Sequence, residues 1–221
     1  MDSTVFFVTL AAEILSAVAV VVSIRFPQRR IWPPSETHSW PGYLMWGFFL
    51  TSAVGAVALG IIDWGSMSLT PWIRWVVGLP LWCGGNVLAT WAVAALGMAS
   101  TFGIEGKRSG SFGIEGKRSG SFGIEGKRSG SSGDGGTLVR RGPYRFSRNP
   151  QYVGFIIGLI GWAFVASSAL TLVVSLVGVV PLVLVPFAEE PWLAARYGAA
   201  YEEYRRAVPR FIFFNSQNDV H

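Results

Sequence analysis

A chain of 221 residues, 51% of them apolar and with a positive mean hydropathy, has the composition of a membrane protein. Its net charge of +5 flanks apolar runs instead of lining one soluble face, so membrane topology explains the charge better than nucleic acid does. The lone Cys83 rules out an intrachain disulfide and a cysteine-built zinc site, and His38 and His221, both outside the apolar runs, argue against histidine catalysis.

The first apolar run, Thr4 to Ile24, is long enough to span, since about 20 residues cross the hydrocarbon core. It lacks a basic start and a small-residue cleavage site, so it is expected to be a retained helix. Glu13 near its middle should face other helices and find a partner there. Arg25, Arg29 and Arg30 follow, and Pro33 and Pro34 predict a short extended link. The second run covers Pro41 to Ile62. The third, Pro71 to Met98, carries Pro80, a kink signal beside Gly84 and Gly85. Within it, Cys83 is expected to be a small buried apolar group, and Asn86 and Thr90, four apart on one face, to bond a neighbouring helix.

Three near-identical decapeptides, TFGIEGKRSG and twice SFGIEGKRSG, occupy residues 101–130. Each offers one Phe and one Ile for burial among glycine, serine and charge, so residues 101–136 are expected to be a flexible insertion. Beyond them, GPYRFSRNPQYVG at Gly142 to Gly154 marks the start of a helix. Pro150 suits the first helical position and Asn149 the cap, and the unpaired N–H groups of the first turn lie near Arg145 and Arg148. Such a corner suits a carboxylate or a phosphate.

Gln151 to Ala166 and Ala169 to Phe187, parted only by Ser167 and Ser168, predict an antiparallel helical hairpin. Gly154, Gly158 and Gly161 on its short first arm permit close approach of a partner helix. Pro191 is expected to open a new amphipathic helix with Leu193, Tyr197, Tyr201, Tyr204 and Val208 on one stripe. Residues 215–221 read as a disordered tail. With five spans, seventeen of the eighteen Lys and Arg fall on one side and only Arg74 opposite. The positive-inside rule then puts the N-terminus outside and the C-terminus in the cytosol. The expected architecture is thus an all-α integral membrane protein of about five transmembrane helices, three of them within residues 1–100, then a C-terminal hairpin and an amphipathic cytosolic helix.

LVRRGPYRFSRNPQYVG at Leu138 to Gly154 and EEPWLAARYGAAYEEYRRAVPRFI at Glu189 to Ile212 together resemble the isoprenylcysteine carboxyl methyltransferase and phospholipid methyltransferase superfamily of membrane enzymes. The resemblance implies a cofactor-binding region over residues 137–214 and transfer of a methyl group from S-adenosylmethionine, on the cytosolic face, to a lipophilic or small membrane-accessible acceptor. Carried over by position, Gly136, Thr137, Leu138, Val139, Tyr144, Asn149, Pro150, Gln151, Tyr152, Glu189 and Glu190 would line the cofactor, with Glu189 and Arg148 as the catalytic pair. Two departures bear on the acceptor. Asn149 stands where many isoprenylcysteine methyltransferases have histidine, and Val185 stands where they carry an arginine proposed to hold the substrate carboxylate, which argues for an acceptor without one. A membrane sterol reductase using NADPH, which shares a related hairpin, and a non-catalytic scaffold are the alternative readings.

Overall fold

The computed structural model describes residues 2–34, 39–96 and 138–212. The decapeptides, Gly136, Thr137, both histidines and the tail lie outside the described residues. Every regular element among the described residues is helical: α1 (Asp2–Arg25), α2 (Trp40–Ile62), α3 (Leu79–Leu96), α4 (Pro150–Ala166), α5 (Ala169–Tyr197) and α6 (Ala199–Ala207). Four helical stretches are long and apolar enough to cross a membrane: Ser3–Arg25, Trp40–Ile62, Ile73–Leu96 and Ala169–Tyr197. The fifth apolar helix, α4, has 17 residues and so is about 26 Å long, short of a hydrocarbon core of about 30 Å. The all-α membrane architecture is as expected. Large apolar side chains such as Phe7, Leu50, Val54, Val76 and Val87 face outward, as suits lipid solvent.

Proline acts differently here from the expectation. Ahead of Pro80 the chain forms a π-helical turn, Ile73–Gly78. The wider turn accommodates a ring that has no N–H and would otherwise press on the carbonyl four residues back. Pro181, Pro186 and Pro191 all lie inside one continuous α5, so Pro191 opens no new helix. The break falls at Gly198, whose φ of +53° is a conformation that side-chain-bearing residues avoid. The tyrosine stripe is therefore divided between α5 and α6, yet it stays together: Tyr201, Tyr204 and Val208 pack with Leu138, Leu193 and Tyr197.

The short α4 is seated by glycine, but against α3 and not against its hairpin partner. A Cβ added at Gly154 would lie 2.6 Å from the Ala89 amide nitrogen, and one at Gly85 or Gly161 would enter the backbone of the facing helix. Small residues thus let two backbones touch, the usual means of association where lipid removes any hydrophobic drive. At the hairpin tip, Ser167 is left-handed (φ +52°) and the Ser168 hydroxyl accepts the Thr171 N–H. Asp63, at the end of α2, accepts from Ser168 Oγ (2.7 Å) and the Leu170 N–H (3.0 Å), which secures the start of α5 to α2. Burial pushes the Asp63 carboxyl up, but these bonds with those from Ser66 and Ala169 outweigh it and hold the group below its ordinary range. Arg74, the isolated cation of this side, donates to the Val165 carbonyl at the end of α4 and lies 4.7 Å over the Trp64 ring.

Three other sequence expectations meet the structure here. Glu13 faces inward as expected, its carboxylate over Gly178 of α5 and facing Ser52 of α2. Asn86 instead bonds its own helix, donating to the Trp82 carbonyl at 2.7 Å, and both it and Thr90 are exposed. Cys83 is exposed as well, because the α3 face that meets α4 is taken by Gly85 and Ala89.

Adjacent glycines of α3 should therefore respond oppositely to the same change. Gly85→Ala should lower stability by about 1–3 kcal/mol through overpacking, while Gly84→Ala, where an added Cβ meets nothing within 4 Å, should be neutral or stabilising. Thermal unfolding of the two variants in detergent checks this.

Candidate functional site

The corner at the start of α4 is built from a tight turn. Gly142 (φ +61°) opens a 3₁₀ turn, Gly142–Arg145, that buries Pro143 and Tyr144. Ser147, also buried, donates to the Arg210 carbonyl (3.2 Å) and accepts the Asn149 N–H (3.1 Å). Asn149 occupies the cap position, but its side chain makes no capping bond and donates to the Arg210 carbonyl at 3.1 Å. With the Arg148 N–H on the Pro209 carbonyl (2.9 Å), the C-terminal segment is stitched to this turn. Pro150 fills the first helical position, as expected, and the N–H groups of Gln151 and Tyr152 that follow it have no partner within the helix.

At 1.5 Å per residue, α5 carries the chain about 30 Å from Ala169 to Glu189, which returns its end to this same corner. Its two successive carboxylates divide. Glu190 accepts from Arg210 Nε (2.7 Å) and Nη2 (2.6 Å) and pairs with Arg148 Nη1 at 3.0 Å. The Arg148 and Glu190 side chains are 9% and 10% exposed, so this is a buried ion pair closed by a fork from a second arginine. Hydrogen bonding to Glu190 holds the Arg210 guanidinium above its ordinary range, and it lies 3.9 Å over the Phe187 ring.

Glu189 turns the other way. Its Oε1 accepts from Tyr152 Oη (2.7 Å) and from the indole N–H of Trp32 (2.8 Å), while Oε2 accepts no hydrogen bond among the described residues. Tyr144 lies close by: burial first, then the Glu189 carboxylate and Tyr204, raise its phenol well above the usual range. Behind it Tyr204 donates to the Tyr144 carbonyl at 2.7 Å. Tyr201 accepts from Arg148, and burial, helped by the charge on Glu190, pushes its phenol up to about 12. These tyrosines are neutral donors and packing groups at physiological pH.

The sequence-predicted residues thus fall into two groups. Tyr152 bonds Glu189, and Tyr144 lies near enough for the same carboxylate to raise its phenol. Arg148, Asn149 and Glu190 are engaged with each other or with Arg210, and Leu138 packs on the tyrosine cluster. Pro150 is buried, Val139 and Gln151 are half-buried, and Gly136 and Thr137 lie outside the described residues. Trp32 and the clamp role of Arg210 do not emerge from sequence, because a tryptophan near a membrane surface and an arginine in a basic tail are both ordinary there.

The sequence model of the phospholipid methyltransferase family matches residues 73–200, more than half of the chain. The chain belongs to that family. No curated protein and no solved structure matches it. The family match takes in α3, the turn at Gly142, α4 and all of α5, and with them Tyr144, Arg148, Tyr152, Glu189 and Glu190. It leaves out α1, α2 and the link that carries Trp32, as well as Arg210.

The two carboxylates should separate stability from function. Glu190→Ala leaves Arg148 buried without its partner and should cost about 3–5 kcal/mol. Glu189→Gln retains an oxygen for Trp32 and Tyr152 and should unfold near the wild-type temperature. Thermal melts of the two proteins test the difference.

Proposed function

We propose that this phospholipid methyltransferase family member transfers the methyl group of S-adenosylmethionine to a lipophilic acceptor, at the corner between the start of α4 and the end of α5. The observation that carries the reading is the bond from Tyr152 to Glu189 across a full helical hairpin, which leaves the second carboxylate oxygen over, with Tyr144 near enough for that charge to raise its phenol. The donor set fits such a cofactor. Glu189 Oε2 accepts from an ammonium or a hydroxyl, and the free N–H groups of Gln151 and Tyr152 suit a carboxylate, with Arg145 exposed nearby. Arg148 contributes indirectly, since its charge is already committed to Glu190.

The sulfonium, when bound, supplies both the methyl group and the leaving group. The residues of the chain then align the acceptor, exclude water and receive its proton, and Glu189 Oε2 is the acceptor atom available for that proton. Val185, fully buried one turn before Glu189, offers no cation for a substrate carboxylate, so the favoured acceptor carries a thiol, amine or hydroxyl. An apolar groove of about 340 Å³ between α1 and α5, lined by Ile14, Val18, Val22, Val180 and Leu184 among others, supports a lipophilic tail. Leu184, at one end of it, packs in the same cluster as Trp32 and Tyr152. The excess of Lys and Arg on this side of the chain supports a cytosolic position for the corner by the positive-inside rule.

Calorimetric titration of the detergent-purified protein with S-adenosylhomocysteine and with NADPH tests the cofactor. Binding of S-adenosylhomocysteine, weakened at least tenfold by Glu189→Ala, is expected. Binding of NADPH alone would replace a methyltransferase with a reductase.

A further inference from the structure

We propose that Trp32, in the link between α1 and α2, is a positioning residue that fixes Glu189 so that Oε2 faces the ligand. The inference deepens the proposed function and rests on it for the identity of that ligand, though not for the Trp32–Glu189 contact. Trp32 lies outside the segment matched by the family, so the match itself assigns this contact no role.

The geometry is that of a fixed support. Trp32 is 5% exposed, and its ring meets Trp46 and Phe49 of α2 edge-on at 6.0 and 5.8 Å. Its backbone is held as well: the Ser23 hydroxyl of α1 accepts the N–H groups of Ile31 (2.9 Å) and Trp32 (3.0 Å) while donating to the Ala19 carbonyl. An indole has one N–H and no acceptor, so a tryptophan set this firmly presents one donor in one direction. That donor is spent on Glu189 Oε1, the same oxygen that takes the Tyr152 hydroxyl. Two donors on one oxygen, one from the link after α1 and one from α4, set the carboxylate plane and leave the second oxygen for a ligand. Among the described residues, the other titratable groups beside Glu189 are Tyr144, Tyr152 and Glu190, the last neutralised by Arg148 and Arg210.

The test is carbodiimide labelling of Glu189, which modifies the protonated acid, followed across pH by mass spectrometry of its peptide. Trp32→Phe keeps a ring in the aromatic cluster and removes only the donor. It should move the labelling midpoint upward by about one pH unit, because a hydrogen bond to the charged form is lost. Ser23→Ala, which frees the link without touching the indole, should move it in the same direction by less. Phe49→Leu, which loosens the packing but keeps the N–H, should leave it in place. An unmoved midpoint in Trp32→Phe, or an equal shift in Phe49→Leu, overturns the assignment and reduces Trp32 to a packing residue. Titration with S-adenosylhomocysteine distinguishes the two claims. A shifted midpoint in a protein that never binds this ligand upholds the role of Trp32 and refutes the proposed function.

Discussion

A carboxylate taken out of water must be met by donors or cations, and the end of α5 carries two in succession. No single helix can satisfy both, because neighbouring residues of a helix point about 100° apart. Glu190 draws in Arg148 from the start of α4 and Arg210 from the C-terminal segment. Glu189 draws in Tyr152 from α4 and Trp32 from the link after α1. Four remote pieces of chain are thereby brought to one place at the membrane surface. The division also separates duties: one carboxylate is consumed in holding the corner together, and the other retains an oxygen for the proposed chemistry.

That arrangement requires α4 to begin at the right depth, and the close packing of α4 on α3 provides it. A helix of 17 residues does not fix its own depth in the bilayer by length. Gly85, Gly154 and Gly161 instead register it against α3, and Arg74 and the Asp63 network hold the hairpin at the opposite surface. Backbone contact between glycines tolerates little displacement, so the start of α4 stands at a definite height beside the end of α5. Methyl transfer asks a protein to align two partners, and the proposed site would draw on this fixed height.

Much of the fold is legible in the sequence because the bilayer permits so few solutions. The apolar runs mark the starts of the helices to within a few residues, although α5 continues well past Phe187, and the dipeptide Ser167–Ser168 marks the hairpin. Proline and glycine are where local reading fails. Pro191 resembles a helix start, but α5 runs through it and breaks at Gly198 instead. The glycines of α4 announce a close contact without naming the partner, and α3 supplies the matching small residues. The meeting of Tyr152 with Glu189 follows from the hairpin and the family resemblance together. The division between Glu189 and Glu190 does not, since it depends on which direction each faces at the end of a helix that runs through Pro181 and Pro186. Trp32 is the least legible of all, being one of ten tryptophans in a chain where aromatic residues at headgroup level are expected.

The central claim is that one methyl-donor site lies where the turn at Tyr144 to Tyr152 meets the end of α5. Ultraviolet crosslinking of the purified protein with methyl-labelled S-adenosylmethionine, followed by peptide mapping, tests it most directly. The account predicts label in the peptide that contains Tyr144 and Tyr152, abolished by excess S-adenosylhomocysteine. Competed label confined to the first two helices, or no competed label at all, would contradict it.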